Sequence, residues 1–167
     1  MKNITQTFEG NIKGKVANFR ATWYPTHDFS KINPINQVYC VCFDKIGKIV
    51  VVSLNRQKWL LPGGTPEKNE TPMETLVREV DEEADLDLQD IQPIGYQKIE
   101  NLDSGEVFYQ LRYFARIKNI KSQTIDPAVG KILVREFILP EEFSKYCPWG
   151  SVGEEVIRLA KEIFDKG

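Results

Sequence analysis

The sequence predicts an α/β domain in which helices pack on the faces of a mixed β-sheet. Three observations predict it. Apolar segments follow in the order strands, helix, strands, helix. Residues 37–43 (QVYCVCF) are apolar on both alternating faces, as in a strand covered from two sides. Residues from Thr71 and from Ser151 open with capping-box spacing and continue with apolar residues at helical period. The 167 residues suffice for one domain with its own core, and 41% hydrophobic with 28% charged residues excludes disordered or collagen-like chains. No apolar run approaches the roughly 18 residues of a membrane span. The segment MKNITQTFEGNIKGK has no apolar h-region, which predicts no secretory leader. Three cysteines and one histidine exclude a disulfide framework and argue against structural zinc. The expectation is a single soluble, cytoplasmic domain over residues 1–167, without membrane or nucleic-acid partners.

Residues 1–36 are the least readable part, an N-terminal extension or strand. Within them residues 16–24 (VANFRATWY) read as a strand, with Pro25 and Pro34 bracketing a loop that holds His27. A strand over 37–43 leads through the turn Asp44-Lys45-Ile46-Gly47 to a second over 48–54 (KIVVVSL). Cys40 and Cys42, two apart, share one face and read as small core residues. Residues 59–64 (WLLPGG) form a short strand ending in a flexible turn. Thr71 as N-cap, Pro72 at the first helical position and Glu74 then start a helix, with Met73, Leu76, Val77, Val80 and Ala84 as its apolar stripe. Strands are expected over 94–100, 106–117 and 132–139. In the second of these, Val107, Tyr109, Leu111, Tyr113, Ala115 and Ile117 form an apolar face. The other face carries Phe108, Gln110, Arg112, Phe114 and Arg116, unusually mixed for a solvent face. Ser151 to Glu154 open a closing helix to about residue 165, its stripe Val152, Val156, Leu159, Ala160 and Ile163.

The charge is unevenly placed. Residues 67–90 hold ten acidic and two basic side chains, a local −8 that leaves +6 on the rest of a chain of net −2. A nucleic-acid binder concentrates positive charge instead. Within that segment Glu79, Glu82 and Glu83 stand at i, i+3 and i+4, on one helix face. They occupy the last turns, where the helix dipole and mutual repulsion both disfavour carboxylates. A bound hard dication reverses that sign; a solvated acidic face is the other reading. With oxygen ligands alone, magnesium or manganese fits best.

The stretch from Gly64 through Glu70 and then Arg78-Glu79-Val80-Asp81-Glu82-Glu83-Ala84-Asp85-Leu86 resembles the Nudix box. That signature runs Gly, five residues, Glu, seven residues, Arg-Glu, an aliphatic, one residue, Glu-Glu, one residue, Gly and an aliphatic. Every fixed position matches except the last glycine, here Asp85. Trp59 and Pro62, just before the double glycine, also look like the family. The resemblance implies a Nudix-type α/β/α sandwich, with the box over residues 63–86. It implies hydrolysis of a nucleoside diphosphate linked to another group, with Mg2+ (or Mn2+) as cofactor. By the same resemblance the metal ligands are Glu79, Glu82, Glu83 and the Gly63 carbonyl, while Gly64, Glu70 and Arg78 support the box. Water activated by the cations attacks phosphorus, and Glu79 and Glu83 are both candidates for the base.

Asp126 is a candidate for a further acidic residue from outside the box. Arg20, Trp59, Phe108 and Arg112 are candidates for binding phosphate or stacking a base, against ordinary packing or surface roles. No subfamily mark names the substrate; a nucleoside triphosphate or a nucleotide sugar is favoured. The alternative is a non-catalytic module that senses a nucleotide or binds a partner, although there the box glutamates are commonly lost. A homodimer is left open. Asp85 should fall at the helix C′ position, where left-handed backbone suits glycine. Asp85→Gly is therefore expected to gain about 0.5 kcal/mol; the contrary reading is that Asp85 replaces glycine in order to bind a metal or bond a loop.

Overall fold

The computed structural model describes residues 3–167. Its first two strands, β1 (Ile4–Ile12) and β2 (Lys15–Pro25), form a hairpin in which Ile4 faces Trp23 and Ile12 faces Lys15. Lys13 (φ 50°) and Gly14 (φ 82°) turn it, both in the left-handed region that matches the twist of paired strands. Strand β2 contains the expected 16–24. Strand β1 was not expected, because ITQTFEGNI alternates only weakly and its two-residue turn lacks the Asn-Gly or Asp-Gly signal.

Strand β3 (Ile35–Phe43) pairs with β4 (Ile49–Ser53) across a turn that Asp44 organises, its Oδ1 accepting from the N–H groups of Ile46 and Lys48, both at 2.9 Å. Gly63–Gly64 form β5 against Val38 and Tyr39. Helix α1 (Pro72–Ala84) has the expected capping box, with Thr71 Oγ1 accepting from Glu74 N and Glu74 Oε2 accepting from Thr71 N. Its buried stripe is narrower than expected: Leu76, Val80 and Ala84 are covered, whereas Met73 and Val77 are 39% and 46% exposed. Sheet residues meet only one i, i+4 line of this short helix.

Strand β6 (Leu86–Asn101) starts directly after α1, eight residues before the expected 94. Its first half alternates only over Leu86-Asp87-Leu88-Gln89 before bulges interrupt the pattern, too short a run to mark a strand. Strands β7 (Val107–Ile120) and β8 (Val134–Ile138) follow. A 3₁₀ turn at Pro140–Glu142 and helix α2 (Phe143–Tyr146), neither expected, lead to α3 (Gly150–Lys166). The capping box expected at Ser151 does not form. Trp149 stands at the N-cap without a side-chain cap bond, and the Ser151 hydroxyl instead meets Gln6 Oε1 from β1 at 3.3 Å.

The strands form one mixed sheet in the order β1-β2-β6-β7-β3-β4-β8, with β3 and β7 parallel and β5 attached to β3. Alternation on the central strands creates two cores. Val38, Cys40, Cys42, Leu111, Tyr113 and Ala115 meet Leu76, Val80 and Ala84 of α1 on one face. Val41, Phe43 and Phe114 meet Phe143, Val152, Val156 and Ala160 on the other. This explains why β3 reads as apolar at every position, and why the polar members of β7 lie on a covered face. Among the described residues no helix is long and apolar enough to cross a membrane.

Candidate active site

The loop 64–71 turns back onto α1 and is held there by one arginine. Arg78 donates through Nε to Glu70 Oε1 (2.6 Å) and through Nη2 to Glu70 Oε2 (3.0 Å), a bidentate pair that also fixes the loop carbonyl of Thr65 (3.3 Å). Glu70 further accepts from Glu67 N at 2.9 Å and Thr75 Oγ1 at 2.8 Å. These bonds, Arg78 first, hold the Glu70 carboxyl down at about 2. Gly64 brings the backbone close to the helix: a Cβ there would stand 2.3 Å from Glu79 Oε1 and displace that carboxylate.

The three helix carboxylates share a face but do not close around one point. Arg78 Nη1 draws Glu79 Oε1 (3.0 Å) and Glu82 Oε2 (3.2 Å) to itself, while Glu83 Oε2 accepts from Gly63 N at 2.9 Å. Among the described residues no three acidic, histidine or cysteine side chains form a finished ion cage. The donor set still fits a hard cation. Burial, and beyond it repulsion from Glu79, Asp126 and Glu82, pushes Glu83 up to about 8. Burial likewise raises Glu79, with repulsion from Glu82 and Asp126 adding to it. Four carboxylates thus oppose one another in an all-oxygen site.

Asp126, on the segment between β7 and β8, lies near enough to the cluster to raise Glu79 and Glu83. It is 3% exposed, and its Oδ1 accepts from Ala128 N (2.7 Å) and Val129 N (3.3 Å). That segment is anchored by Asp85, the residue that departs from the box. Asp85 does take the left-handed C-cap conformation (φ 51°, ψ 51°), but its carboxylate is buried and accepts from Thr124 N (3.0 Å) and Thr124 Oγ1 (2.6 Å). The expected gain from Asp85→Gly is therefore corrected: the side chain ties down the loop that presents Asp126.

Beside the carboxylates lies a cavity of about 650 Å³ on the α3 side of the sheet. Tyr39 is common to both: it lines the cavity, backs onto Gly63, and feels Glu83 and Glu79 on one side and Arg112 on the other. Arg112, 2% exposed, lies at the cavity wall with its guanidinium 4.7 Å from the Tyr39 ring centre and 5.2 Å from that of Trp149. The other sequence candidates stand elsewhere. Arg20 sits on the opposite sheet face, exposed beside Glu100 at 3.9 Å. Phe108 packs on Phe19, Ala21 and Ile99, and Trp59 packs edge-on against Tyr146. His27 is exposed on its loop, Nδ1 2.8 Å from Pro93 O. Sequence reading missed Tyr39, Gln97 and Trp149. Only the mixed face of β7 pointed toward this side of the sheet.

A sequence profile of the NUDIX domain matches residues 33–161. The fold is similar to that of a Bacillus subtilis pyrophosphohydrolase, RppH, with 22% identity over 93% of this chain and 97% of that one, at TM-score 0.66. It is similar to a Caenorhabditis elegans Ap4A hydrolase, 13% identical over 80% of this chain and 100% of that one, at TM-score 0.60. A MutT structure from work on Aliivibrio salmonicida and Vibrio cholerae gives 15% identity over 78% and 98%, at TM-score 0.54. No curated protein matches the chain in sequence.

Proposed function

The chain belongs to the Nudix family of pyrophosphohydrolases, and from that premise we propose that it hydrolyses the diphosphate linkage of a nucleoside diphosphate derivative, of nucleoside triphosphate or nucleotide-sugar type. One observation carries the reading: Arg78 and Glu70 lock the loop 64–71 onto α1 beside the face that carries Glu79, Glu82 and Glu83, with Asp126 near enough to raise Glu79 and Glu83. Glu79, Glu82, Glu83 and the Gly63 carbonyl are the groups that would hold Mg2+ or Mn2+. When bound, the metal supplies charge neutralisation at the diphosphate and an acidified water. The chain's own residues do the rest. Gly63 N–H fixes one oxygen of Glu83, leaving Oε1 to receive the proton of the attacking water. Glu79, held against Gly64, is the other candidate for that base. Tyr39 and Arg112 place the organic part of the substrate in the adjoining cavity.

The test is a panel of nucleoside triphosphates, dinucleoside polyphosphates and nucleotide sugars with magnesium, scored by coupled phosphate release. Melting of the chelated protein is followed over the same magnesium titration. Turnover of at least one compound together with a rising Tm is expected, because the ion binds only the folded chain. No response of either quantity would overturn the reading.

A further inference from the structure

On the wall of the cavity beside the carboxylates, two side-chain donor groups lack an acceptor, among lining residues that also include Glu9, Thr7 and Lys58. Arg112 Nη2 donates to both Gln97 Oε1 (3.0 Å) and Gln110 Oε1 (2.9 Å), and Nη1 to the Leu111 carbonyl (3.2 Å). Those bonds orient both amides, with each oxygen toward Arg112 and each NH2 group turned from it. Gln110 then spends its Nε2 on Gln37 Oε1 at 2.6 Å, while the Nε2 of Gln97 has no partner among the described residues. Arg112 Nε is buried and unpartnered as well. The other buried side-chain nitrogen without a partner, Trp23 Nε1, belongs to the residue paired across the strands with Gln97. No acidic side chain forms an ion pair with Arg112 among the described residues; Glu9 lines the cavity rim but is exposed. A guanidinium taken out of water in this way is left with unmet donors, which a ligand's acceptors complete.

The cavity's shape narrows the ligand. Its volume suits a nucleoside rather than a bare anion, and aromatic rings of Tyr39, Trp149 and Phe8 line it. The Arg112 guanidinium lies 4.7 Å from the ring centre of Tyr39 and 5.2 Å from that of Trp149. Gln6, from β1, holds this wall in place: its Nε2 donates to the Trp149 carbonyl at 2.8 Å. The NUDIX match begins at residue 33, so the hairpin that contributes Gln6 and Phe8 lies outside it.

We propose that Arg112 and Gln97 select a base whose exposed edge carries acceptors only, the O6/N7 edge of a 6-oxopurine, over bases that present an amino group there. Adenine offers an N6 amino donor beside N7, so it would set donor against donor; guanine and hypoxanthine offer two acceptors. This rests on the proposed nucleotide hydrolysis for its biological meaning, and its test is independent of turnover.

Binding of GMP, IMP, AMP and 7-deaza-GMP to the metal-free protein is measured by calorimetry, with inorganic phosphate as competitor. GMP and IMP should bind at least tenfold more tightly than AMP, and 7-deaza-GMP, lacking the N7 acceptor, several-fold more weakly than GMP. Gln97→Glu, whose carboxylate pairs with Arg112 and removes the amide donors, should erase the preference; Arg112→Gln should do the same if it folds. AMP binding as tightly as GMP, no purine binding at all, or inorganic phosphate displacing GMP at equal affinity would each overturn the proposal. In the last case the guanidinium is an anion site. Selective GMP binding without hydrolysis of any compound would instead overturn the enzymatic reading and leave this one standing.

Discussion

Replacing Asp85 by glycine separates two accounts of the residue that departs from the box. Its backbone is left-handed at φ 51°, ψ 51°, so glycine relieves about 1 kcal/mol of steric cost and a few tenths from a charge at the helix C-terminus. Greater freedom of glycine in the unfolded chain takes back about 0.5–1 kcal/mol. Against this near-balance stand the two bonds from Thr124 to a carboxylate that is only 4% exposed. Charge-assisted bonds are worth about 1.5–3 kcal/mol each. Thr124 is exposed, so its freed donors turn to water and the loss shrinks to about 1 kcal/mol per bond. The net expectation is a destabilisation of about 1–2 kcal/mol. In urea that lowers the midpoint by roughly 0.5–1 M at an unchanged slope. Asp85→Asn keeps one side-chain acceptor and tolerates the left-handed backbone, so it should fall between wild type and glycine. Because Thr124 lies two residues before Asp126, the glycine variant should also lose several-fold in kcat. A glycine variant as stable as wild type, or more so, would refute the reasoning and leave Asp85 as a strained cap alone.

Glu82→Gln and Glu83→Gln should each lower kcat by about a hundredfold or more in steady-state assays with magnesium. Glu83→Gln should also raise the metal-free unfolding free energy by roughly 1 kcal/mol, because a neutral amide still accepts from Gly63 N without the cost of burying charge. Loss of fold with retained specific activity would mark either residue as structural. Gly64→Ala should fold and yet lose most of its turnover, since the new Cβ would stand 2.3 Å from Glu79 Oε1 and must push that carboxylate aside. Its circular dichroism and kcat measured together check this, and unchanged turnover would show that Glu79's position is not critical.

Local chemistry was legible without coordinates. The α1 capping box, the Asp44 turn and the strands β3 and β4 are each specified within about ten residues, by a side chain bonding nearby backbone or by a short-range apolar period. The family membership was legible for the same reason: the box is one contiguous segment whose spacing reflects a single loop and helix. Strand β1 was not, because its pairing with β2 and its clamp on Trp149 come from hydrogen bonds that leave no mark in ITQTFEGNI. The cap expected at Ser151 failed because the helix starts one residue earlier, at Gly150, so that Trp149 stands at the N-cap and Ser151 lies within the first turn, its hydroxyl donating to Gln6.

What the sequence by itself determined is therefore the class of fold, the box and the carboxylates on one helix face. Tertiary structure decided where Glu83 turns, toward Gly63 N, while Arg78 draws Glu79 and Glu82 within the helix itself. Only it brought Asp126 near them on a loop pinned by Asp85, and left Arg20 on the far side of the sheet while burying Arg112 in a cavity. The physical reason is range. Caps and periodic stripes are satisfied by neighbours along the chain. A buried charge is satisfied, or left unsatisfied, by whichever strands the topology lays beside it, and β3, β6 and β7 meet at Arg112 from three separate stretches of sequence.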